Sequence, residues 1–334
     1  MRYDALQEFK KYNNGKSVLL ICSEFAKPFV DNDSFFTEIK CFNIKKVSRS
    51  LSYYYVFSRF LKKCYADKIY FQAWERYIEG DMIISCLKGK DIIGMRGITN
   101  RDFLQRYYDN KYTKLLEYPK NQHELLQIES YVRFTINPSY HYGKNPMRLV
   151  KSDFEGITSP YVVVSISSSR NEKKWPIERF AKIVDSLTKK ILVVIAGSGK
   201  DDLSGVESLL QMVSNRDNLV SLVNKTSILE FASLISQSLF VIGNDSAAVH
   251  IAAATRVPSI CIHHGAHFGR FLPYPTSVFE EKYRPRVVCY KMDCYNCDYN
   301  CIYKETFPFR CLSNVSVEMV QSEVDKLLLE LGVV

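Results

Sequence analysis

The stretch that decides the fold runs from Val241 to Ile262 and reads Val-Ile-Gly-Asn-Asp-Ser-Ala-Ala-Val-His-Ile-Ala-Ala-Ala-Thr-Arg-Val-Pro-Ser-Ile-Cys-Ile. Two short apolar runs, typical of buried parallel strands, flank a predicted helix over 246–255. The start of that helix brings together backbone amides, the Asp245 carboxylate, the Ser246 hydroxyl and the His250 imidazole. Unpaired amides and the helix dipole both favour an anion there, so the stretch predicts a site for a phosphorylated ligand. The structural alternative makes Asp245 a helix N-cap and His250 a packed helix residue.

Strand and helix patterns alternate on both sides of this stretch. The predicted strands are 161–167, 191–197, 219–223, 239–243 and 259–263, and the predicted helices are 177–189, 203–213, 228–236 and 246–255. Pro176 is predicted at the first position of its helix, and Ser227 with Glu230 forms a capping box. Repeated strand–helix units predict a parallel sheet covered on both faces, with ligands at the carboxyl ends of its strands.

The first half of the chain is rich in Tyr, Phe and Lys and has weaker patterns. Its predicted strands are Ser17–Ser23, Lys68–Ala73 and Met82–Cys86, and its predicted helices are Leu51–Leu61 and His123–Phe134. A segment rich in Pro, Gly and Asn, 137–146, is the best linker candidate. The predicted organisation is therefore a domain over 1–150, a second over 151–315, and a final segment, 316–334, whose helix packs back on the domains.

Composition indicates a globular protein that acts on an anionic partner. The 334 residues exceed a usual single core, while 46% hydrophobic and 24% charged residues are an ordinary balance. No apolar run approaches the roughly 20 residues of a membrane span, and the start is too polar for a signal peptide. We therefore expect a cytoplasmic protein. The net charge of +9 favours an anionic substrate, but its lysines and arginines look scattered, without a dense basic run for nucleic acid.

Two further polar loops follow predicted strands. In the first, 167–176, hydroxyls and Lys173 precede a helix and are suited to phosphate oxygens. The alternative is a solvated loop whose serines cap turns. The second, Gly197–Asp202, lacks the spacing of a phosphate-binding loop and predicts a turn and a helix start.

Three motifs in this order resemble glycosyltransferase family 9, the bacterial heptosyltransferases that build the lipopolysaccharide inner core. They are Lys173-x-Trp175-Pro176-x-x-Arg179-Phe180, Lys225-Thr226-Ser227-x-x-Glu230, and Gly243-Asn-Asp245-Ser246-x-x-x-His250-x-Ala252-Ala253-Ala254-x-x-Val257-Pro258. Each motif is common-looking alone, but their order and spacing together are specific. The resemblance covers residue 161 to the C-terminus well and 1–150 only loosely.

The resemblance implies an α/β fold of the GT-B type, with two Rossmann-like domains whose parallel sheets face a cleft. It implies an inverting, metal-independent transfer without a cofactor, from a nucleotide sugar such as ADP-heptose to an anionic glycolipid acceptor near the inner membrane face. By position, Ser168, Ser169 and Lys173 would hold the donor diphosphate, and Thr226 would lie by the base and ribose. The residues implied around the phosphates and sugar are Asp245, Ser246, Ala247 and His250. The family usually has Gly at position 247, where this chain has Ala. The added methyl group would reduce the space for the donor sugar, so the identity of that sugar is not determined.

The chain departs from the family at its beginning. Family members start with a strand and a Gly-Asp loop that supplies the general base, whereas here 4–12 resembles the first helix and 17–23 the second strand. The resemblance thus implies a first domain that lacks its first strand, and a catalytic base that stays unknown. Asp4 matches a family Pro and is not the missing base; Asp31 and Asp33 are weak stand-ins. The alternatives are a catalytically impaired nucleotide-sugar binder and a GT-B epimerase, against which the Lys-x-Trp-Pro motif argues.

Half of the ten cysteines fall within 23 positions, from Cys289 to Cys311. Four of them are candidate ligands for zinc or an iron–sulfur cluster: Cys294, Cys297, Cys301 and Cys311. The spacing lacks two regular Cys-x-x-Cys pairs, and this favours thiols packed in a crossover segment over a metal site.

Overall fold

The computed structural model describes residues 2–31, 33–73, 77–97, 102–117, 122–143, 145–157, 160–168, 170–303 and 308–333. Its helices are α1 (Tyr3–Tyr12), α2 (Ile44–Arg49), α3 (Leu51–Leu61), α4 (Ile78–Cys86), α5 (Asp102–Asp109), α6 (Glu124–Thr135), α7 (Ile177–Thr188), α8 (Lys200–Met212), α9 (Ile228–Ser236), α10 (Ala247–Ala254), α11 (Arg310–Ser313) and α12 (Val317–Glu330). Its strands are β1 (Leu19–Ser23), β2 (Glu38–Phe42), β3 (Tyr65–Phe71), β4 (Lys88–Arg96), β5 (Lys114–Glu117), β6 (Tyr161–Ser165), β7 (Leu192–Ile195), β8 (Leu219–Ser221), β9 (Val241–Asn244), β10 (Ser259–Ile262) and β11 (Arg286–Val288).

The second half forms a parallel sheet with the strand order β11-β10-β9-β6-β7-β8. Strands β6, β9 and β10 are buried at every position, which explains their continuous apolar sequences. Neighbouring residues of one strand pack on opposite faces: Val162 lies with α7, α8 and α12, while Val163 lies with α9 and α10. The predicted parallel sheet with helices on both faces is confirmed.

The first half forms two smaller parallel sheets, β1-β2 and β3-β4-β5. Helices α3 and α4 contribute Phe57, Leu61 and Ile83 to a core that also contains part of β1 and β2. The predicted strand Met82–Cys86 is wrong, because these residues form the end of α4 and the strand follows at β4. A short apolar run does not distinguish a buried strand from one turn of a buried helix.

Most other local predictions are confirmed with small shifts at the ends. The capping box is complete, because Ser227 accepts from the Glu230 amide and Glu230 accepts from the Ser227 amide. Pro176 is the exception: it is the N-cap of α7 rather than its first residue, since its ψ of 134° is extended. The final helix, α12, packs on α7 and the edge of the large sheet through Val320, Val324 and Leu327.

The proposed linker segment is anchored rather than loose. Asp4 in α1 is buried and accepts hydrogen bonds from the Tyr140 hydroxyl and from the amides of Gly143 and Asn145. Arg256, which follows α10, donates to the Gly143 carbonyl. Helix α6 packs with α1, α10 and β10 in one apolar cluster, and its Tyr131 also donates to the Ile93 carbonyl in β4, so α6 contacts both halves. The domain boundaries at 150 and 315 stay predictions. Within the described ranges, no helix has the length and hydrophobicity needed to cross a bilayer.

Phe180 tests the packing between α7 and the sheet. Its side chain is fully buried and meets the Trp175 ring edge to face at 5.0 Å between centroids. Phe180→Ala should lower the free energy of unfolding by about 3–5 kcal/mol, because it leaves a cavity in the core. Leu329→Ala, at a position 72% exposed in α12, should change it by less than about 0.5 kcal/mol. Urea denaturation of both variants measures the difference; equal effects would contradict this description of the core.

Candidate functional site

Polar residues follow the strands of the large sheet at one common edge. Ser167 follows β6, Gly197 follows β7, Asn224 follows β8, Asp245 follows β9 and His263 follows β10. All these strands are parallel, so their carboxyl ends meet at the same edge of the sheet, where ligands bind in folds of this kind.

Asp245 is the centre of a buried cluster of charged and polar side chains at that edge. Its side chain is only 5% exposed, and its Oδ2 lies 3.1 Å from Lys173 Nζ and 3.2 Å from His264 Nε2. The Nε2 atoms of His250 and His263 each lie 3.9 Å from a carboxylate oxygen of Asp245. The structural alternative for Asp245 is wrong, because Ser246, not Asp245, is the N-cap of α10.

Lys173 and Asp245 remain ionised in the buried site. Burial opposes the charge on Asp245, but the hydrogen bond from His264 and the charge of Lys173 outweigh it and hold the pKa of the carboxyl well below its usual range. Burial likewise opposes the charge on Lys173, yet the Asp245 carboxylate and the Tyr299 hydroxyl raise the pKa of the ammonium. The site therefore holds a charged pair of a buried carboxylate and a half-buried ammonium.

Two of the imidazoles around this pair, those of His250 and His263, are held neutral by burial. His264 Nδ1 accepts from the Ala266 amide at 3.1 Å, so in the neutral ring the proton is on Nε2, which faces Asp245. His263 stacks on His264 with 5.0 Å between ring centroids. Burial lowers the pKa of His250 to about 4 and that of His263 to about 3. His250 Nδ1 also lies 2.8 Å from the Tyr274 hydroxyl.

The N-terminus of α10 is open next to this cluster. Ser246 makes no side-chain capping bond, and its buried Oγ has no hydrogen-bond partner among the described residues. Ala247, the first helical residue, is exposed. The first-turn amides and the Ser246 hydroxyl are therefore available to donate hydrogen bonds to a ligand. An anion would accept such bonds at a helix N-terminus.

The Lys-x-Trp-Pro sequence holds Lys173 in place through Trp175. The Trp175 amide donates to Asn244 Oδ1 at 3.0 Å, and Asn244 Nδ2 donates to the Ile166 carbonyl at 2.8 Å. The Trp175 indole donates to the Val315 carbonyl at 2.9 Å. The loop after β6 is thus fastened to the end of β9, and this brings Lys173 against Asp245.

The remaining predicted residues occupy neighbouring loops. Ser168 is half-buried after β6, and Thr226 is half-buried between β8 and α9, whereas Ser169 lies outside the described residues. The predicted turn at 197–202 is confirmed, since α8 begins at Lys200. A Cβ at Gly197 would lie 2.0 Å from Ser167 Oγ, so a larger residue there would displace that hydroxyl from its hydrogen bond to Asp202. The assignment of all these residues to donor binding stays a prediction.

Sequence reasoning missed His263, His264 and Tyr299. Four of the six histidines fall within 250–267, and His263 and His264 directly follow a buried strand. This clustering indicates a site, but the sequence prediction placed His263 in the strand 259–263. Tyr299 carried no such signal. Its ring packs 5.5 Å from His264, and the Arg170 guanidinium lies 4.5 Å from its centroid.

The cysteine segment contributes packing to this region. Cys301 and Cys311 are buried with Phe309, and Cys311 Sγ accepts from the Gly265 amide at 3.4 Å. In the part of the chain that the structure describes, no three His, Cys, Asp or Glu residues are arranged to hold a metal ion. The candidate bases of the first half have other partners, because Asp31 pairs with Lys27 and Asp33 pairs with Lys10.

Comparison with known proteins identifies related sequences. The sequence profile described as "Glycosyltransferase family 9 (heptosyltransferase)" matches residues 83–294. The lipopolysaccharide heptosyltransferase 3 of Escherichia coli strain K12 is 28% identical over 133 residues, which are 39% of this chain and 38% of that protein. The matched segment thus spans well under two thirds of that relative.

Solved structures show the same fold along nearly the whole chain. A glycosyl transferase family 9 protein from Veillonella parvula has a TM-score of 0.76 at 18% identity, covering 98% of this chain and 93% of that one. The heptosyltransferase WaaC of E. coli, with ADP-2-deoxy-2-fluoro heptose, has a TM-score of 0.67 at 14% identity, covering 97% and 94%. The predicted α/β fold with parallel sheets, of the GT-B type, is confirmed.

The buried imidazoles predict how stability depends on pH. His123, His250 and His263 are neutral when folded, with pKa values lowered by burial to about 4, 4 and 3 from 6.5. The unfolded chain binds protons below pH 6.5 while the folded chain does not, so the free energy of unfolding should fall between about pH 6.5 and pH 4. The loss for His250 alone is about 3 kcal/mol.

Urea denaturation between pH 7.5 and 4 measures this loss. His250→Gln should reduce the slope, because it removes one titrating ring. Stability independent of pH in this window would contradict the neutral imidazoles.

Proposed function

Because this chain belongs to glycosyltransferase family 9, we propose that it transfers a sugar from a nucleotide-sugar donor to a lipopolysaccharide core or another surface glycan. The observation that carries the proposal is the charged pair Lys173–Asp245 beside the open N-terminus of α10. Heptose is the proposed sugar, because the related proteins are named heptosyltransferases and WaaC was solved with an ADP-heptose analogue.

The donor diphosphate is proposed to lie at the start of α10. Its oxygens would accept hydrogen bonds from the first-turn amides and from Ser246, whose buried hydroxyl lacks a partner among the described residues. The proposal places Ser168 and Ser169 on the diphosphate from the loop after β6. Thr226, in the loop after β8, would contact the base and ribose.

Lys173 is able to serve Asp245 and the diphosphate together. An ammonium has three donors, and Asp245 uses one of them. His264 also contacts Asp245 at 3.2 Å, so the carboxylate keeps a partner when Lys173 turns toward a phosphate. This arrangement supplies a positive charge to the ligand without leaving a buried carboxylate alone, which would cost several kcal/mol.

The chemical step is proposed to be a direct displacement that inverts the anomeric carbon. The acceptor hydroxyl attacks that carbon as its bond to the diphosphate oxygen breaks, and negative charge accumulates on the leaving diphosphate. Lys173 and the α10 amides would stabilise that charge without a metal ion. The base that takes the hydroxyl proton is unassigned, since Asp4, Asp31 and Asp33 have the structural partners described above.

The sugar itself would lie between Ala247 and His250. Ala247 is exposed at the first helical position, where its methyl group narrows the space for the donor sugar. Residues 1–150 are proposed to hold the acceptor, an anionic glycolipid in keeping with the net charge of +9. We place the reaction at the inner face of the cytoplasmic membrane, with the protein held there peripherally.

Calorimetry with ADP, ADP-heptose and UDP-sugars tests the donor site. Lys173→Ala should weaken ADP binding by about tenfold to a hundredfold, the usual value of a hydrogen bond to a charged group. Asp245→Ala should weaken ADP-heptose, because Lys173 loses the partner that positions it. Lys189→Ala is the matched control, since Lys189 is an exposed lysine of the same half paired with Asp185. Unchanged affinity in both site variants would remove the assigned site.

Product analysis tests the reaction. Incubation with ADP-heptose and a truncated lipopolysaccharide core should release ADP and give a product with the inverted anomeric configuration by NMR. The rate should survive excess EDTA, because the charge stabilisation comes from Lys173 and backbone amides. Donor binding without turnover would instead favour a nucleotide-sugar-binding protein.

A further inference from the structure

One segment of this chain has basic residues without acidic ones. Residues 39–66 contain no Asp or Glu and seven basic residues, namely Lys40, Lys45, Lys46, Arg49, Arg59, Lys62 and Lys63, in a chain with a net charge of +9. The expectation of scattered lysines and arginines is therefore wrong for this segment. The sequence indicates this basic segment by the absence of acidic residues over 28 positions, not by a dense run of lysines and arginines.

Helix α3, inside this segment, exposes large apolar side chains. Leu51 is 88% exposed, Tyr55 60% and Val56 69%. Their spacing places them on one side of the helix, opposite Phe57 and Leu61, which are buried in the core of the first half. Large apolar residues grouped on one exposed side of a helix mark an interaction site more often than isolated exposed residues do.

Basic side chains continue the same face at the C-terminal end of α3. Arg59, Lys62 and Lys63 are exposed, and none of them forms an ion pair with a carboxylate of the described residues. The Arg59 guanidinium lies 5.8 Å from the centroid of the Tyr55 ring, so apolar and basic groups adjoin each other. The face therefore combines apolar side chains with unpaired positive charge.

We propose that this face of α3 docks on the surface of an anionic lipid bilayer. Leu51, Tyr55 and Val56 enter the boundary between headgroups and acyl chains, while Arg59, Lys62 and Lys63 contact lipid phosphates. Amphipathic helices bind membranes through this combination of apolar area and basic charge. Exposed Leu and Val side chains favour a bilayer over nucleic acid, whose phosphates offer them no apolar partner. The inference rests on the peripheral membrane attachment in the proposed function and names the surface responsible for it, but it does not depend on the donor site.

Vesicle co-sedimentation at low salt tests the docking directly. The full chain should bind vesicles of equimolar phosphatidylcholine and phosphatidylglycerol and should bind pure phosphatidylcholine far less. Replacement of Arg59, Lys62 and Lys63 by Gln should weaken binding about fivefold per cation, or roughly a hundredfold together, from about 1 kcal/mol each. Replacement of Leu51, Tyr55 and Val56 by Ser should also weaken it, because the insertion is lost.

Controls separate docking from loss of structure and from failure of the donor site. Ile302→Ser and Leu329→Ser remove apolar residues of similar exposure elsewhere, 71% and 72%, and should leave vesicle binding unchanged. All variants should keep the thermal unfolding midpoint and the ADP affinity of the unaltered protein. Loss of ADP binding in the unaltered protein would sink the proposed function and leave this inference standing.

A fluorescent reporter tests insertion. Tyr55→Trp should show a blue-shifted emission on anionic vesicles, because the indole leaves water. Three results would overturn the inference: equal binding to both vesicle types, vesicle binding insensitive to the α3 substitutions, or preferential binding of RNA over anionic vesicles.

Discussion

A carboxylate kept ionised below the surface is the constraint on which the site depends. Burying an unpaired charge costs several kcal/mol, so the Asp245 carboxylate requires an opposite charge and polar neighbours around it. Lys173 supplies the opposite charge and His264 Nε2 a contact at 3.2 Å, and these residues lie in the loops that follow β6 and β10. The pair is 72 residues apart in sequence, yet the parallel sheet places the ends of β6 and β9 side by side.

The need to keep Asp245 paired also explains the roles of Trp175 and Asn244, which support the loop that carries Lys173. Trp175 and Asn244 fasten the loop after β6 to the end of β9, and without them the Lys173 ammonium would have no fixed position against Asp245. The neutral imidazoles follow from burial, which lowers the pKa of His250 and His263. Lys173 and the amide end of α10 supply positive charge in the site, and together they suit a diphosphate.

The two halves of the chain present positive charge in different ways: the second as a single lysine in the site, the first as several exposed cations on α3. In the second half the half-buried Lys173 pairs with Asp245, whereas in the first half α3 carries exposed cations beside exposed apolar groups. A buried cation selects a small anion by geometry, while an exposed cluster attracts an extended anionic surface through summed, salt-sensitive attraction. Both features suit the proposed transfer of a sugar from a soluble donor to an acceptor held in a membrane.

The sequence by itself determined the alternation of strands and helices after residue 161, the capping box at Ser227 and the three motifs of the family. These signals are local, because a strand buried on both faces and a helix cap each depend on residue types that are close together in the sequence. Sequence did not distinguish the end of α4 from a strand, since a short apolar run suits both. Tertiary structure alone decided that Ser246 caps α10, that His263 and His264 surround Asp245, and that Tyr299 covers the cluster. Those contacts join distant segments, and their partners are set by how the sheet packs rather than by sequence spacing.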